Sequence, residues 1–202
     1  MAFDLAAIRT EVFSGPYAYL NDSGTQAARV DYWINQAYHE LCDVADWPFL
    51  EATSSGASPL TISDLGSVVN VVGPDYLTLN PIGYDDVTRV AGGALSTSGS
   101  AVYYYITGGT VINAYPVPSG SLSVRYIKKP TDLSTATDVP LVPAEYRDII
   151  AIGALRRAAL DNQSWQAADG YQREWQKRVD GMLGAELPAP RRQQIVYGSE
   201  DY

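Results

Sequence analysis

The spacing of apolar positions changes twice along the chain. From Phe3, the residues Leu5, Ile8 and Val12 recur at helical intervals until Gly15-Pro16 interrupts them, which predicts a short first helix. After the polar turn NDSGT, with Thr25 as a cap, Val30, Trp33/Ile34, Ala37/Tyr38, Leu41 and Val44/Ala45 repeat every three to four residues. This pattern predicts a long helix over residues 26–46. Pro48 disfavours helical backbone at Trp47 and supplies no N–H, so the helix must end there.

From Glu51 the period shortens to two. The runs PLTIS, SVVNVV, DYLTLN, AVYYYI, TVINAY and SLSVRYI, separated by Gly, Pro, Asp and Asn, predict a small antiparallel β unit. Between them GYDDVTRVAG predicts one helical turn and GGALSTSGS a loop. The last three runs read as a meander, with a tight glycine turn at residues 107–109 and a proline-restricted one in AYPVPSGSLSV.

Beyond KKPTDLSTATDVPL the helical period returns. Pro143 suits a first turn, Glu145 complements the dipole, and Ile149/Ile150, Gly153/Ala154 and Ala158 line one face. Ser164 can cap a last helix whose stripe is Trp165, Ala168, Tyr171, Trp175, Val179 and Met182, giving a helical hairpin. The tail AELPAPRRQQIVYGSEDY has no period and cannot pack by itself. The expected fold is therefore α+β. Helices from residues 1–49 and 131–184 form one bundle, residues 50–130 form an inserted β lobe, and residues 185–202 form an extended arm. Trp47, Pro48 and Phe49 stand at the first crossing as a structural joint.

Composition narrows the function. With 46% hydrophobic and 18% charged residues, the chain can bury enough apolar surface to offset its ordering entropy. Its net charge of -9 lies in the first part: up to Gly120 three basic residues face twelve acidic ones, whereas from Ser121 eleven face eleven. A surface that grips phosphates needs Lys and Arg to displace counterions, so the first part would repel DNA. No apolar run approaches the roughly 18–20 residues of a membrane-spanning helix. The single cysteine allows no internal disulfide and no charged, apolar leader opens the chain, so a cytoplasmic site of synthesis and folding is expected.

Little in the chain points to catalysis. The only histidine, His39, and the only cysteine, Cys42, share a helix face in HELCDVADWPFL. A metal site needs three or four ligands and a Cys-His nucleophile needs an orienting partner, so both are expected to be structural. The pairs Asp85-Asp86 and Glu200-Asp201 lack EF-hand spacing and read as solvated faces or caps, although carboxylate-only binding of Mg²⁺ or Ca²⁺ stays open. Gly108-Gly109 falls in a hairpin, and no phosphate-binding glycine motif or nucleophile elbow is present. No catalytic residue, metal or cofactor is assigned, and a carboxylate-pair hydrolase is the weakest reading. Fifteen tyrosines are the unusual feature. Tyr103, Tyr104 and Tyr105 put successive rings on opposite faces of a strand and are candidates for contacts between subunits.

Three blocks in order, DYWINQAYHELCDVADWPFLE, GGTVINAYPVPSGSLSVRYIKKPTDLS and DVPLVPAEYRDIIAIGALRRAAL, resemble the head-to-tail adaptor, or connector, proteins of tailed bacteriophages. The shared features are an aromatic-Ile-Asn-x-Ala-Tyr helix running into Trp-Pro-Phe, a Tyr-Pro-x-Pro turn, a basic strand exit and a Pro-x-Glu-Tyr helix start, framing residues 31–160. The resemblance implies a non-enzymatic ring of about twelve copies under the portal, extending the DNA channel and offering the tail a docking surface. It implies as partners the portal, downstream tail or neck proteins, and DNA that passes without sequence-specific binding. The implied location is the virion neck, with assembly in the host cytoplasm. It also implies a C-terminal arm docking on the portal or a neighbouring subunit, for which Arg191, Arg192, Ile195, Val196 and Tyr197 are the expected residues. The alternative is a β-rich tail or baseplate module that binds a cell-surface glycan or protein through its tyrosines.

Overall fold

The computed structural model describes residues 4–14 and 24–187, and its fold is α+β. The chain forms α1 (Leu5–Phe13), α2 (Gly24–Asp43), β1 (Glu51–Ala57), β2 (Leu60–Thr61), β3 (Leu65–Val72) and β4 (Asn80–Pro81). It continues through α3 (Tyr84–Val90), β5 (Tyr103–Thr107), β6 (Val111–Tyr115), β7 (Ser121–Lys128), α4 (Asp148–Asp161) and α5 (Trp165–Glu186). Two compact units result: one joins residues 1–49 to 130–202, and the other is Leu50–Lys129.

In the helical unit the apolar stripes are the buried faces. Leu5, Ile8 and Val12 of α1, and Val30, Trp33, Ile34, Ala37, Tyr38 and Leu41 of α2, are all inaccessible to solvent or nearly so. The free amides at the start of α1 are met from both sides. Asp4 caps with its side chain, accepting from the Ala7 N–H at 2.9 Å, while the Leu5 and Ala6 N–H groups donate to the carbonyls of Asp138 and Ala136. Helices α2 and α4 approach closely at Gly153, where a Cβ would lie 2.8 Å from that of Ala37. Only glycine allows that contact. Helices α4 and α5 form an antiparallel hairpin, laced by Arg178 to Asp148 at one end and by Arg156 to Gln172 toward the other.

The β unit holds two sheets. The first, ordered β1-β7-β3, is antiparallel; the second, ordered β2-β6-β5-β4, is antiparallel except for the parallel pair β4–β5. Val71, Ile112, Leu122 and Val124 are fully buried in a core to which both sheets contribute. Helix α3 sets Val87 over Tyr105 and Tyr115 in a second, smaller cluster.

Several expectations need correction. The last three strands are not a meander: β5 and β6 form the expected hairpin across Gly108 and Gly109, both with positive φ, but β7 joins the other sheet. Pro116 and Pro118 have no N–H for a continued ladder, so the chain changes sheets there. Strand β1, EATSSGA, carries no hydrophobic alternation and was not predicted as a strand; its place comes from full-length pairing with β7. The DYLTLN run contributes only Asn80 to a strand, and α3 has seven residues rather than one turn. Helix α2 runs from Gly24, which puts Thr25 inside it, and stops at Asp43, because the chain must leave helical geometry before Trp47-Pro48. Ser164 takes the N-cap position of α5 without a side-chain cap bond. Trp165, expected in the buried stripe, is 67% exposed because it opens α5 where the antiparallel α4 has already ended at Asp161.

Candidate functional site

Trp47 leads the chain out of the helices. Its side chain is fully buried, its Nε1–H donates to the Leu41 carbonyl at 2.8 Å, and its ring stacks on Phe49 with centroids 5.7 Å apart. Pro48 starts a short 3₁₀ turn through Leu50 that runs directly into β1. The indole bond anchors the last carbonyls of α2, which have no partner within the helix.

His39 and Cys42 divide between two tasks. The imidazole Nε2 lies 2.6 Å from Asp132 on the segment returning from the β unit, one of several ties between that segment and α2. Asn35 exchanges two hydrogen bonds with the backbone of Leu133, and the Leu141 N–H donates to the Tyr38 hydroxyl. Burial pushes the Cys42 thiol and the Tyr38 hydroxyl each up to about 12, so both keep their protons at neutral pH. A buried, protonated thiol is a packing group and not a nucleophile.

The densest polar cluster joins α2 to α4. Glu40 accepts from both Arg156 and Arg157, and Arg156, only 8% exposed, also donates to Gln172 and lies over the Trp175 ring at 5.2 Å. A second tie sits on Asp161, which accepts from the Trp33 indole at 2.7 Å and from Arg29 at 3.3 Å. These groups are placed to hold two distant chain segments together. Among the described residues no group of three His, Cys, Asp or Glu side chains could hold a metal ion. Asp85 and Asp86 lie in the first turn of α3, where their charge suits the helix dipole.

The tyrosine strand faces inward more than composition implied. Tyr105 is 8% exposed and meets Tyr84 edge-on, Tyr103 packs partly against the same cluster, and Tyr104 borders the main β core. The exposed apolar groups of this unit lie elsewhere. Tyr76, 92% exposed and at φ +61°, tops a tight turn beside the exposed Leu77. That turn is braced by Pro74 against Gly120 and by a bond from Ser100 to Asp75. Positive φ in an aromatic residue was not visible in the sequence, since only glycine announces it. The expected arm residues Arg191, Arg192, Ile195, Val196 and Tyr197, like the pair Glu200-Asp201, lie outside the described residues.

The model of the SU10 adaptor protein family matches residues 5–196, both units and most of the tail included. The chain belongs to this family of phage head-to-tail adaptors. No curated protein matches the adaptor. Membership makes it a bacteriophage structural protein, and no described helix is long and apolar enough to cross a membrane. The buried ties described above fix the shape of the helical unit.

Proposed function

We propose that the adaptor forms a closed ring, of about twelve copies by family resemblance, beneath the portal of a tailed phage. The observation that carries this reading is the family match over residues 5–196, which takes in the helical unit, the β unit and most of the arm. Lateral contacts draw on Tyr76 and Leu77 and on the partly accessible rings of Tyr103 and Tyr104. Residues Trp47, Pro48 and Phe49 act as the joint between helices and lobe. The arm, through Arg191, Arg192, Ile195, Val196 and Tyr197, docks on the portal or on a neighbouring copy. The acidic first part suits a channel wall over which DNA slides without sticking, since it lacks the cations that would retain phosphates.

Native mass spectrometry of the protein alone and mixed with the portal ring tests this reading. The expected result is a small species that becomes a portal-bound ring of about twelve, because lateral contacts too weak to overcome association entropy alone add up on a template. Removal of the residues after Gly184 should leave a folded protein that no longer joins the portal. Unchanged portal binding by that truncation would overturn the arm assignment. A monomer that ignores the portal and binds a specific glycan would replace the whole reading with the recognition module.

A further inference from the structure

Four strands form the margins of the two sheets: β1 and β3 in one, β2 and β4 in the other. Exposed sheet margins invite pairing with other chains, and folded proteins normally blunt them by shortness, proline, bulges or lysine. Three of the four are blunted here. Strands β2 and β4 have two residues each, and β4 contains Pro81. Strand β3 is broken by register shifts between Leu65 and Ser67 and between Val68 and Asn70. Strand β1 differs from all of them. It pairs with β7 in unbroken register over seven residues, and it has no proline, no lysine and no bulge. On its other side, no backbone bond from a described residue reaches residues 52–57.

The side chains on the half-buried face of β1 are small. Ala52, Ser54 and Gly56 point to the half-buried face, and Ala52 and Leu60 form the rim of the β core. Gly56 has no Cβ because one would press on Leu60 Cδ1 at 2.8 Å. Leu60 fills the space beside Gly56, whereas Ala52 and Ser54 bring little bulk of their own, so large side chains set beside them would extend the rim. An added strand would supply them at alternate positions.

Within the chain, one run beyond Leu187 has strand chemistry: QQIVY, residues 193–197, bounded by Pro190 and Gly198. In extended form Ile195 and Tyr197 share a face and would cover that rim, with Val196 beside the exposed Thr53 and Ser55. Ile195 lies eight positions beyond Leu187, a reach of about 26–29 Å when extended. A closed ring needs two different complementary surfaces on each chain, and a donor segment with an acceptor strand are such a pair. We propose that β1 is the acceptor strand for residues 193–197 of a second copy. The inference rests on the docking-arm reading and specifies its partner.

Introduced cysteines test it, because Cys42 is buried and its thiol is held protonated. Full-length protein carrying Thr53→Cys with Val196→Cys, or Ser55→Cys with Val196→Cys, is oxidised on the portal ring and run on a non-reducing gel. The expected result is a ladder of disulfide-linked multimers from at least one double variant, absent from each single variant and collapsed by reductant. No disulfide from either pair in a ring that mass spectrometry finds intact would overturn the proposal. So would a disulfide confined to single chains. If the portal never binds, the arm reading fails on its own account, and amide exchange still tests β1. Raising the concentration of full-length protein should slow exchange at Glu51–Ala57 by about tenfold or more, and removing the tail should abolish the effect. Equal rates with and without the tail would reject strand addition.

Discussion

The two units put their polar chemistry to opposite uses. The helical unit is assembled from segments that lie far apart in sequence, and a series of its hydrogen bonds crosses that gap: Glu40 to Arg156 and Arg157, Trp33 to Asp161, Asn35 to Leu133, and Tyr38 to Leu141. The β unit is one continuous stretch, Leu50–Lys129, and needs few such ties. It leaves Val69, Tyr76, Leu77, Tyr84, Val102 and Ile106 in solvent, and its strand β1 has neither proline, lysine nor bulge. A unit made of distant segments must place specific bonds at the seam, because each segment alone is too short to hold its fold. An inserted unit closes locally through β-ladders, so its surface is available for partners.

The largest test of this contrast is Trp47→Ala, which empties a fully buried indole site and frees the Leu41 carbonyl. A loss of about 3–5 kcal/mol is expected in chemical denaturation. All four tryptophans lie in the helical unit, so their fluorescence follows that unit alone, while amide exchange follows the β unit. If the β ladders of the variant loosen together with the tryptophan signal, the two units are not separate in stability and the comparison breaks.

Next comes Glu40→Ala, which strands two guanidinium groups, one of them nearly buried. Removing the shared carboxylate should cost about 3 kcal/mol, whereas Arg173→Ala, which removes an exposed pair with Asp169 one turn apart, should cost about 0.5 kcal/mol or less. Equal effects in urea titrations would mean that the seam bonds are ordinary surface pairs.

Alkali should act on the helical unit first. Burial raises Cys42 from 9.0 and Tyr38 from 10.0, each to about 12. The folded chain therefore keeps protons that the unfolded chain releases, so this stabilisation is complete below pH 9 and drains away as the pH rises toward 12. Cys42→Ala should move the start of the decline, seen by tryptophan fluorescence, from near pH 9 to near pH 10, where Tyr38 alone acts. An unchanged onset would reject the thiol as its source.

The smallest effect separates display from stability. Tyr76→Gly removes an aromatic ring from a left-handed backbone site and should stabilise the isolated protein by up to about 1 kcal/mol. A clear loss in thermal melting would show that the ring packs within the fold.

What could be read in advance follows from where the physics is local. The helices were legible because their stripes repeat over several turns and Pro48 marks an end in one dipeptide. The β5–β6 hairpin was legible because two glycines must bend there. Strand β1 was not, because its small polar residues carry no period and its conformation is imposed by β7, some seventy positions later in the sequence. The switch of β7 to another sheet was hidden for the same reason: prolines say that a ladder stops, not where the chain goes next. Of the candidate surfaces, the Tyr103–Tyr105 run was legible as strand but not as to which rings are covered, since α3 decides that. The exposed Tyr76 turn left no trace in composition, and Trp165 looked like core because a helical stripe does not tell where its partner helix ends.

The entry and exit of the β unit are neighbours. Glu51 faces Ile127 across β1 and β7, so the chain leaves α2 and returns toward α4 through two strands whose Cα atoms sit about 5 Å apart. To the helices, the whole lobe is a closed loop whose length hardly matters, because the entropy of closing a loop grows only with the logarithm of its size. Evolution can therefore treat the lobe as a cassette. Insertions, replacements, even an unrelated small domain can be hung on the same helices, provided the new piece also begins and ends side by side.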